Sequence, residues 1–317
     1  MIPGEWIEQA DARIGPYILR TPLTYDTVRN IYLKWDNHQV TGSFKARGAL
    51  NKVLTLEAWE REAGIVTASA GNHGQGVALA GKLFEVPVKV FVPQQAVAVK
   101  VKAIEQMGAQ VEYVPGGYHE AEDAGINFAI KTRKTWISPY NDGQVISGQG
   151  TLGLEILNEL PAGLEMVWLV PVGGGGLISG VAAAILRLSP RPRLIGVQSE
   201  ASPFMHAIYY HDTQEGVPDL PSLADGLAGA VEANAITVPL IRKYVDEIIL
   251  VSEEEIAHAV AFAWQTYGEK VEGSGAVGIA AILAGKVKER PAVVVVSGGN
   301  IQPEMHAEIC RRYTRKI

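Results

Sequence analysis

Lys45 sits in the stretch TGSFKARG, residues 41–48, just after a glycine, a serine and a phenylalanine. A lysine there has three possible uses: a solvated side chain, a clamp for an anion, or a nucleophilic amine that captures a carbonyl group. Three glycine-rich runs bear on the choice. The run GGGG, residues 173–176, follows VWLVPV and opens a helical segment. Consecutive N–H groups without side chains, at the positive end of a helix, form a nest suited to phosphate. Close helix–sheet packing is the competing reading of that run. It matches neither GxGxxG nor GxxxxGK[ST], so neither a dinucleotide fingerprint nor an NTPase loop is expected. In SAGNHG, residues 69–74, the small residues leave room for a carboxylate against backbone N–H groups. Asn72 has an amide to offer a ring hydroxyl, and His73 reads as a structural hydrogen-bond partner or a base. In SGGN, residues 297–300, the Ser297 hydroxyl suits a heterocycle nitrogen, although Ser–Gly pairs also make ordinary turns.

One ligand would use all of these groups. A phosphate nest, an amide, a strand-end serine and an amine together suit an aromatic aldehyde carrying a phosphate ester, which is pyridoxal 5'-phosphate. The spacing is consistent with that ligand without demonstrating it. No HExxH, close histidine pair or Asp-x-Asp cluster lies near these runs, and no metal is expected.

The elements that must position these groups follow a regular rhythm. From residue 64, GIVTAS, VPVKVFVP and AQVEYVP read as short strands, alternating with helical segments. One of those helices, VAVKVKAIEQMG, is expected to use Val99, Val101, Ile104 and Met107 as its apolar face. Longer units continue the alternation through MVWLVPV, RLIGVQS, VDEIILVS and PAVVVVSGGN. Ser252 and Glu255 form a candidate capping box for EEEIAHAVAFAWQTYG. The expected fold class is α/β, with two parallel or mixed sheets and the ligand in the cleft between them. The expected division is residues 1–48 plus 142–317 for a large domain and 49–141 for a small one. The three glycine runs fall at strand ends, where such folds place their sites.

The chain has 317 residues, with 47% hydrophobic and 20% charged, which argues against disorder along the whole chain. A net charge of -6, with one short basic run at residues 311–316, argues against a nucleic-acid partner. One cysteine, Cys310, cannot make an intrachain disulfide. No apolar run has the length of a membrane span, and the first residues lack the pattern of a signal peptide. No membrane partner and a cytoplasmic location are the expectations.

The motifs TGSFKARGA, SAGNHGQGVA, GQGT, VPVGGGGLISG, LADG, EGSGA and SGGN, in this order from residue 41 to residue 300, resemble the fold-type II pyridoxal phosphate enzymes. Within them the chain is most similar to the branch of threonine and serine dehydratases and serine racemase. The resemblance implies that Lys45 holds the cofactor covalently and then acts as the base. It implies that Gly173, Gly174, Gly175, Gly176 and Leu177 cradle the phosphate, that Asn72 meets the ring hydroxyl, that Phe44 packs beside the ring and that Ser297 meets the ring nitrogen. Ser69, Ala70, Gly71, Asn72 and His73 would surround the substrate carboxylate, and Gly226 of LADG would line the same cavity. Glu272 takes the place of an acidic residue near the cofactor, with Gly273 beside it where the family often has proline.

The implied activity is dehydration and deamination of a β-hydroxy amino acid, L-threonine or L-serine, to a 2-oxo acid and ammonia, in a homodimer. Serine racemase is the alternative. It is expected to need a serine where this chain has Ala70. The resemblance sets Gln198 and Phe204 at the carboxylate positions of a racemase-like cation site, with Glu200 nearby. The pair Trp35–Asp36 also departs from the family pattern, which leaves open an unusual 3-hydroxy substrate such as hydroxyaspartate or a product of compatible-solute breakdown. A scaffold that only binds is the rival of a different class.

Overall fold

The computed structural model describes residues 2–161, 165–186 and 188–313. Among the described residues, ten strands form two sheets. The strands are β1 (Leu23–Asp26), β2 (Ile31–Trp35), β3 (Ile65–Ala68), β4 (Val88–Pro93), β5 (Gln110–Val114), β6 (Thr135–Trp136), β7 (Val167–Pro171), β8 (Arg193–Ser199), β9 (Glu247–Val251) and β10 (Ala292–Val296). The six-stranded sheet runs in the order β1-β2-β10-β7-β8-β9, and the four-stranded sheet β5-β4-β3-β6. Only β1 is antiparallel to its neighbour. Every other pairing is parallel.

Strand composition explains the layering. IVTA of β3, VWLVP of β7 and AVVVV of β10 are buried at every position. Continuous apolar runs of this kind belong to strands covered on both faces. The helix GSGAVGIAAIL, Gly273–Leu283, is buried at ten consecutive positions, Gly273 to Ile282. A helix apolar all round packs inside a domain rather than on its surface. The capping box of Ser252 and Glu255 is formed, with the Glu255 N–H 3.2 Å from Ser252 Oγ and the Ser252 N–H 2.8 Å from Glu255 Oε2.

One helical face differs from expectation. In helix Ala98–Glu105, Val101 and Ile104 are buried but Val99 is exposed. Val99 lies two positions from Val101, about 200° around the helix, so both cannot face the core. Met107 falls beyond the helix end and packs at the margin of the small core.

The helix Lys45–Leu54 connects the two sheets' layers. It packs against helix Asn72–Phe84 on one side and helix Gly143–Glu159 on the other. The second contact is close: a Cβ on Gly148 would lie 2.6 Å from the Arg47 carbonyl oxygen. Arg47 is fully buried and spans two carboxylates. Its Nε and Nη2 donate to the two oxygens of Asp36 at 2.8 Å each, and its Nη1 and Nη2 to those of Glu155 at 2.7 and 3.0 Å. Lys34 Nζ adds a pair to Glu155 at 2.8 Å, and the Thr21 hydroxyl donates to Asp36 at 2.6 Å. Asp36 is thus a buried structural partner of Arg47. Trp35, beside it, is buried in the large sheet and donates through Nε1 to Thr24 Oγ1 at 2.7 Å.

Candidate active site

The site lies beyond the C-terminal ends of β3, β7 and β10. β10 and β7 are adjacent and parallel, so the turns that follow them emerge on the same edge. The segment carrying Lys45 is fastened to that edge. Phe44 N–H donates to Ser297 O at 3.0 Å, and Ser43 bridges Gly298. Lys45 is the first residue of its helix, and its amine donates to the Pro139 carbonyl at 3.0 Å, 5.1 Å from the centre of the Phe44 ring. Burial pushes the amine down to about 8, because removal from water disfavours the charged form. A lysine shifted this far is about one-tenth neutral at pH 7, far more than an exposed lysine, and the neutral form is the nucleophile.

The loop after β3 and the turn after β10 meet directly. Asn72 donates to Glu272 Oε1 at 2.7 Å and accepts from Asn300 Nδ2 at 2.7 Å. The first bond uses one of the two hydrogens on the Asn72 amide, and the second hydrogen remains for a ligand oxygen. Glu272 is buried, and burial with the nearby charge of Asp225 raises its carboxyl to about 7, against the opposing bond from Asn72. Its N–H donates to Gly298 O at 3.1 Å. Glu272 therefore ties the two loops together, a role its place in the motif EGSGA suggested only as proximity.

Ser69 Oγ accepts from the Gly71 N–H at 3.1 Å, curling the loop around Ala70. The His73 side chain turns inward, and Nε2 donates to the Ile137 carbonyl at 3.0 Å. Burial, and then the Lys45 charge, lower its pKa to about 3. His73 is neutral at physiological pH and too weakly basic to take a proton there. Its contribution to an anion loop falls to its backbone N–H. Ser297 is buried at the end of β10. Gly226 stands in the turn Asp225–Leu227, and its N–H donates to Ser274 Oγ at 2.9 Å. Lys100, from helix Ala98–Glu105, reaches Asp225 at 2.9 Å and spans the cleft.

The glycine run after β7 is a tightly walled cradle. A Cβ on Gly173 would stand 3.0 Å from Leu227 Cα, and one on Gly176 2.9 Å from Tyr140 Cβ. A Cβ on Gly174 would enter the Tyr140 ring. Gly175 has φ +88°, a conformation that only glycine adopts readily, and helix Gly176–Ile185 follows. Leu177 buries its side chain in the large core, so it presents only backbone to a ligand. Among the described residues, no backbone hydrogen bond from the N–H groups of Gly173, Gly174 or Gly175 leads to protein. Donors left open at a helix N-terminus fit a phosphate. The residues present thus fit pyridoxal phosphate: an amine, an open cradle, a spare amide hydrogen and a strand-end serine. The expected outcome for Gly174→Ala is loss of cofactor on gel filtration, because the added methyl group displaces Tyr140 at a cost of about 1–3 kcal/mol. A variant that retains full cofactor occupancy would show that the cradle tolerates the group.

The role of the GQGT motif and the presence of Tyr140 were not read from the sequence. GQGT acts on the Lys45 helix: Gln149 Oε1 accepts from the Gly48 N–H at 3.1 Å, and Thr151 Oγ1 from Arg47 at 3.2 Å. Tyr140 roofs the cradle, and its hydroxyl accepts from the Glu232 N–H at 2.8 Å. No periodicity marks Tyr140, which lies in an irregular turn. At the suspected cation position, Gln198 is buried and accepts from the His206 N–H at 3.0 Å, while Phe204 packs into the core.

Comparison with known proteins places this geometry. The family model described as "Pyridoxal-phosphate dependent enzyme" matches residues 14–298. An L-threonine ammonia-lyase of Thermotoga maritima is 44% identical over 312 residues, covering 96% of this chain and 77% of that protein. The structure of maize serine racemase superposes with a TM-score of 0.89 at 31% identity, covering 98% of this chain and 97% of that one. Threonine deaminase isoform 2 from Solanum lycopersicum superposes with a TM-score of 0.88 at 30% identity, covering 97% and 92%. With the family model spanning residues 14–298, most of the chain, the chain belongs to the pyridoxal-phosphate-dependent enzyme family.

Proposed function

We propose that the protein eliminates water from a β-hydroxy amino acid, L-threonine or L-serine, and that the resulting enamine, as its imine tautomer, takes up water and releases ammonia to give a 2-oxo acid. The observation that carries this reading is the buried Lys45 amine, held at the Pro139 carbonyl where the three glycine loops converge. The similarity to an L-threonine ammonia-lyase supports the same substrate class. When bound, the cofactor supplies an aldehyde that captures amines and a ring system that takes up the charge left by proton loss at Cα. The chain's residues do the rest. The loop Ser69–His73 holds the substrate carboxylate on backbone N–H groups, Asn72 and Ser297 orient the ring, and Gly173–Gly176 with Leu177 seat the phosphate. Phe44 packs beside the ring, and Gly226 closes the cavity opposite. Lys45 would stand beside the substrate Cα and take its proton, with proximity providing most of the advantage. The small unit is read as 49–141, the large as 1–48 with 142–317, and the working assembly as a cytoplasmic homodimer.

A screen of 3-hydroxy amino acids for release of ammonia and 2-oxo acid tests the reading. Threonine or serine should give the highest kcat/KM, and no turnover of any of them would overturn it. The similarity to maize serine racemase gives racemisation a specific test. Ala70, partly buried against the small core, has no proton to donate from the second face of the substrate. Ala70→Ser is expected to produce D-serine from L-serine, measured by chiral chromatography. Absence of the D-isomer would show that Ala70 does not decide between the two outcomes.

A further inference from the structure

We propose that Glu232 is the positioning residue for the Lys45 amine and acts through the turn formed by residues 138–141, an inference that rests on the reading of Lys45 as the reacting group. Glu232 lies between the turn Asp225–Leu227 and helix Thr237–Tyr244, 91 to 94 residues along the chain from its partners. Its carboxylate accepts from Ser138 Oγ at 3.2 Å and from Asn141 Nδ2 at 2.7 Å. Its N–H donates to the Tyr140 hydroxyl at 2.8 Å. The Ser138 hydroxyl in turn accepts from the Asn141 N–H at 2.9 Å, and Asn141 Oδ1 accepts from the Ile236 N–H at 2.9 Å. Residues 138, 140 and 141 are all fastened to the Glu232 segment, and the residue they enclose is Pro139.

Pro139 has no N–H, and its carbonyl is the acceptor for Lys45 Nζ at 3.0 Å. A carbonyl dipole favours the ammonium over the neutral amine, so its placement governs both where the nitrogen rests and how firmly it keeps a proton. The same tethers hold Tyr140 over Gly174 and Gly176, so one residue sets the amine and the cradle roof together. The other groups facing Lys45 are neutral His73, from helix Asn72–Phe84, and the Phe44 ring. Those facing Glu232 are Tyr140 and, from helix Tyr118–Thr132, Tyr118 and Glu122. Tyr118, half-exposed at its ring, donates to Glu122 at 2.9 Å; desolvation of the hydroxyl and the adjoining Glu122 charge raise its pKa, and burial raises those of Glu122 and Tyr140, which favours the uncharged forms.

The test reads kcat and KM of the holoenzyme across pH. It also reads the pH dependence of Lys45 acetylation by peptide mass spectrometry, in the full-length protein freed of cofactor. Glu232→Ala should lower kcat about tenfold with KM little changed. The acid limb of the kcat profile and the midpoint of Lys45 labelling should move together to lower pH, because the carbonyl no longer favours the cation. Glu232→Gln keeps an acceptor for Asn141 and should restore most of both quantities. Should Glu232→Ala fail to fold, Asn141→Ala reads the same two quantities and should shift them in the same direction. An unchanged labelling midpoint overturns the proposal, whether or not kcat falls, because a mere staple would loosen the fold without retuning the amine. Wild-type protein with no borohydride-fixed adduct on Lys45 would instead overturn the reading of the site beneath it.

Discussion

Lys45→Ala is expected to fold normally and to lose turnover by about 10³-fold or more, since general-base catalysis alone contributes about 10²–10⁴. The amine is buried with one acceptor, the Pro139 carbonyl, and takes part in no ion pair among the described residues. Its removal strands no opposite charge. Desolvation disfavours the charged amine in the native state, so truncation also relieves a cost. With both proteins freed of cofactor, the thermal midpoint should therefore match that of the wild type or exceed it, while the cofactor-loaded variant lacks the visible absorbance of the lysine–cofactor bond. After borohydride reduction, peptide mass spectrometry should find the cofactor adduct on Lys45 in the wild type and no adduct in the variant. Full turnover in Lys45→Ala would remove this residue from the mechanism and, with it, the functional assignment.

Arg47→Ala is expected to destabilise the protein by about 3–5 kcal/mol, the range for breaking a buried ion pair by removing one partner. Arg47 and Asp36 are wholly inaccessible and Glu155 nearly so. Without the guanidinium, Glu155 keeps Lys34 and Asp36 keeps only the Thr21 hydroxyl among its short contacts. Arg47→Lys should recover part of the loss, since it restores the charge but not the planar fork that reaches both carboxylates. Urea unfolding of the three proteins measures this. A cost under about 1 kcal/mol would mean that water replaces the lost donors and that the site is less sealed than its geometry shows. Because Arg47 lies two residues after Lys45 on the same helix, activity should fall with stability in Arg47→Ala, whereas Lys45→Ala separates the two.

The chemistry was legible in the sequence because local groups supply it. Each glycine run follows a strand directly, and the runs at 69–74 and 173–176 also open a helix, so strand, turn and helix N-terminus are contiguous there and their spacing survives folding. The two-sheet α/β architecture was legible for the same reason, through uninterrupted apolar strands such as AVVVV. Strand β6, two residues long, has no pattern to detect, and it is placed only by pairing with β3. Asp36 illustrates the other limit. As a letter it looked like a departure bearing on substrate, and only burial against Arg47, eleven positions away, makes it structural.

The sequence by itself determined which groups are available: one amine behind small residues, three backbone loops at strand ends and an order of motifs that belongs to one family. The tertiary structure decided how those groups are set. It bonded the His73 ring to the Ile137 carbonyl, linked Asn72 to Asn300 and Glu272 across two hundred residues or more, and placed Tyr140, Pro139 and Glu232 around the amine and the cradle. Periodicity and turn chemistry extend over a few residues. Burial, and the pKa shifts and hydrogen-bond partners that come with it, depends on what distant segments bring to the same place.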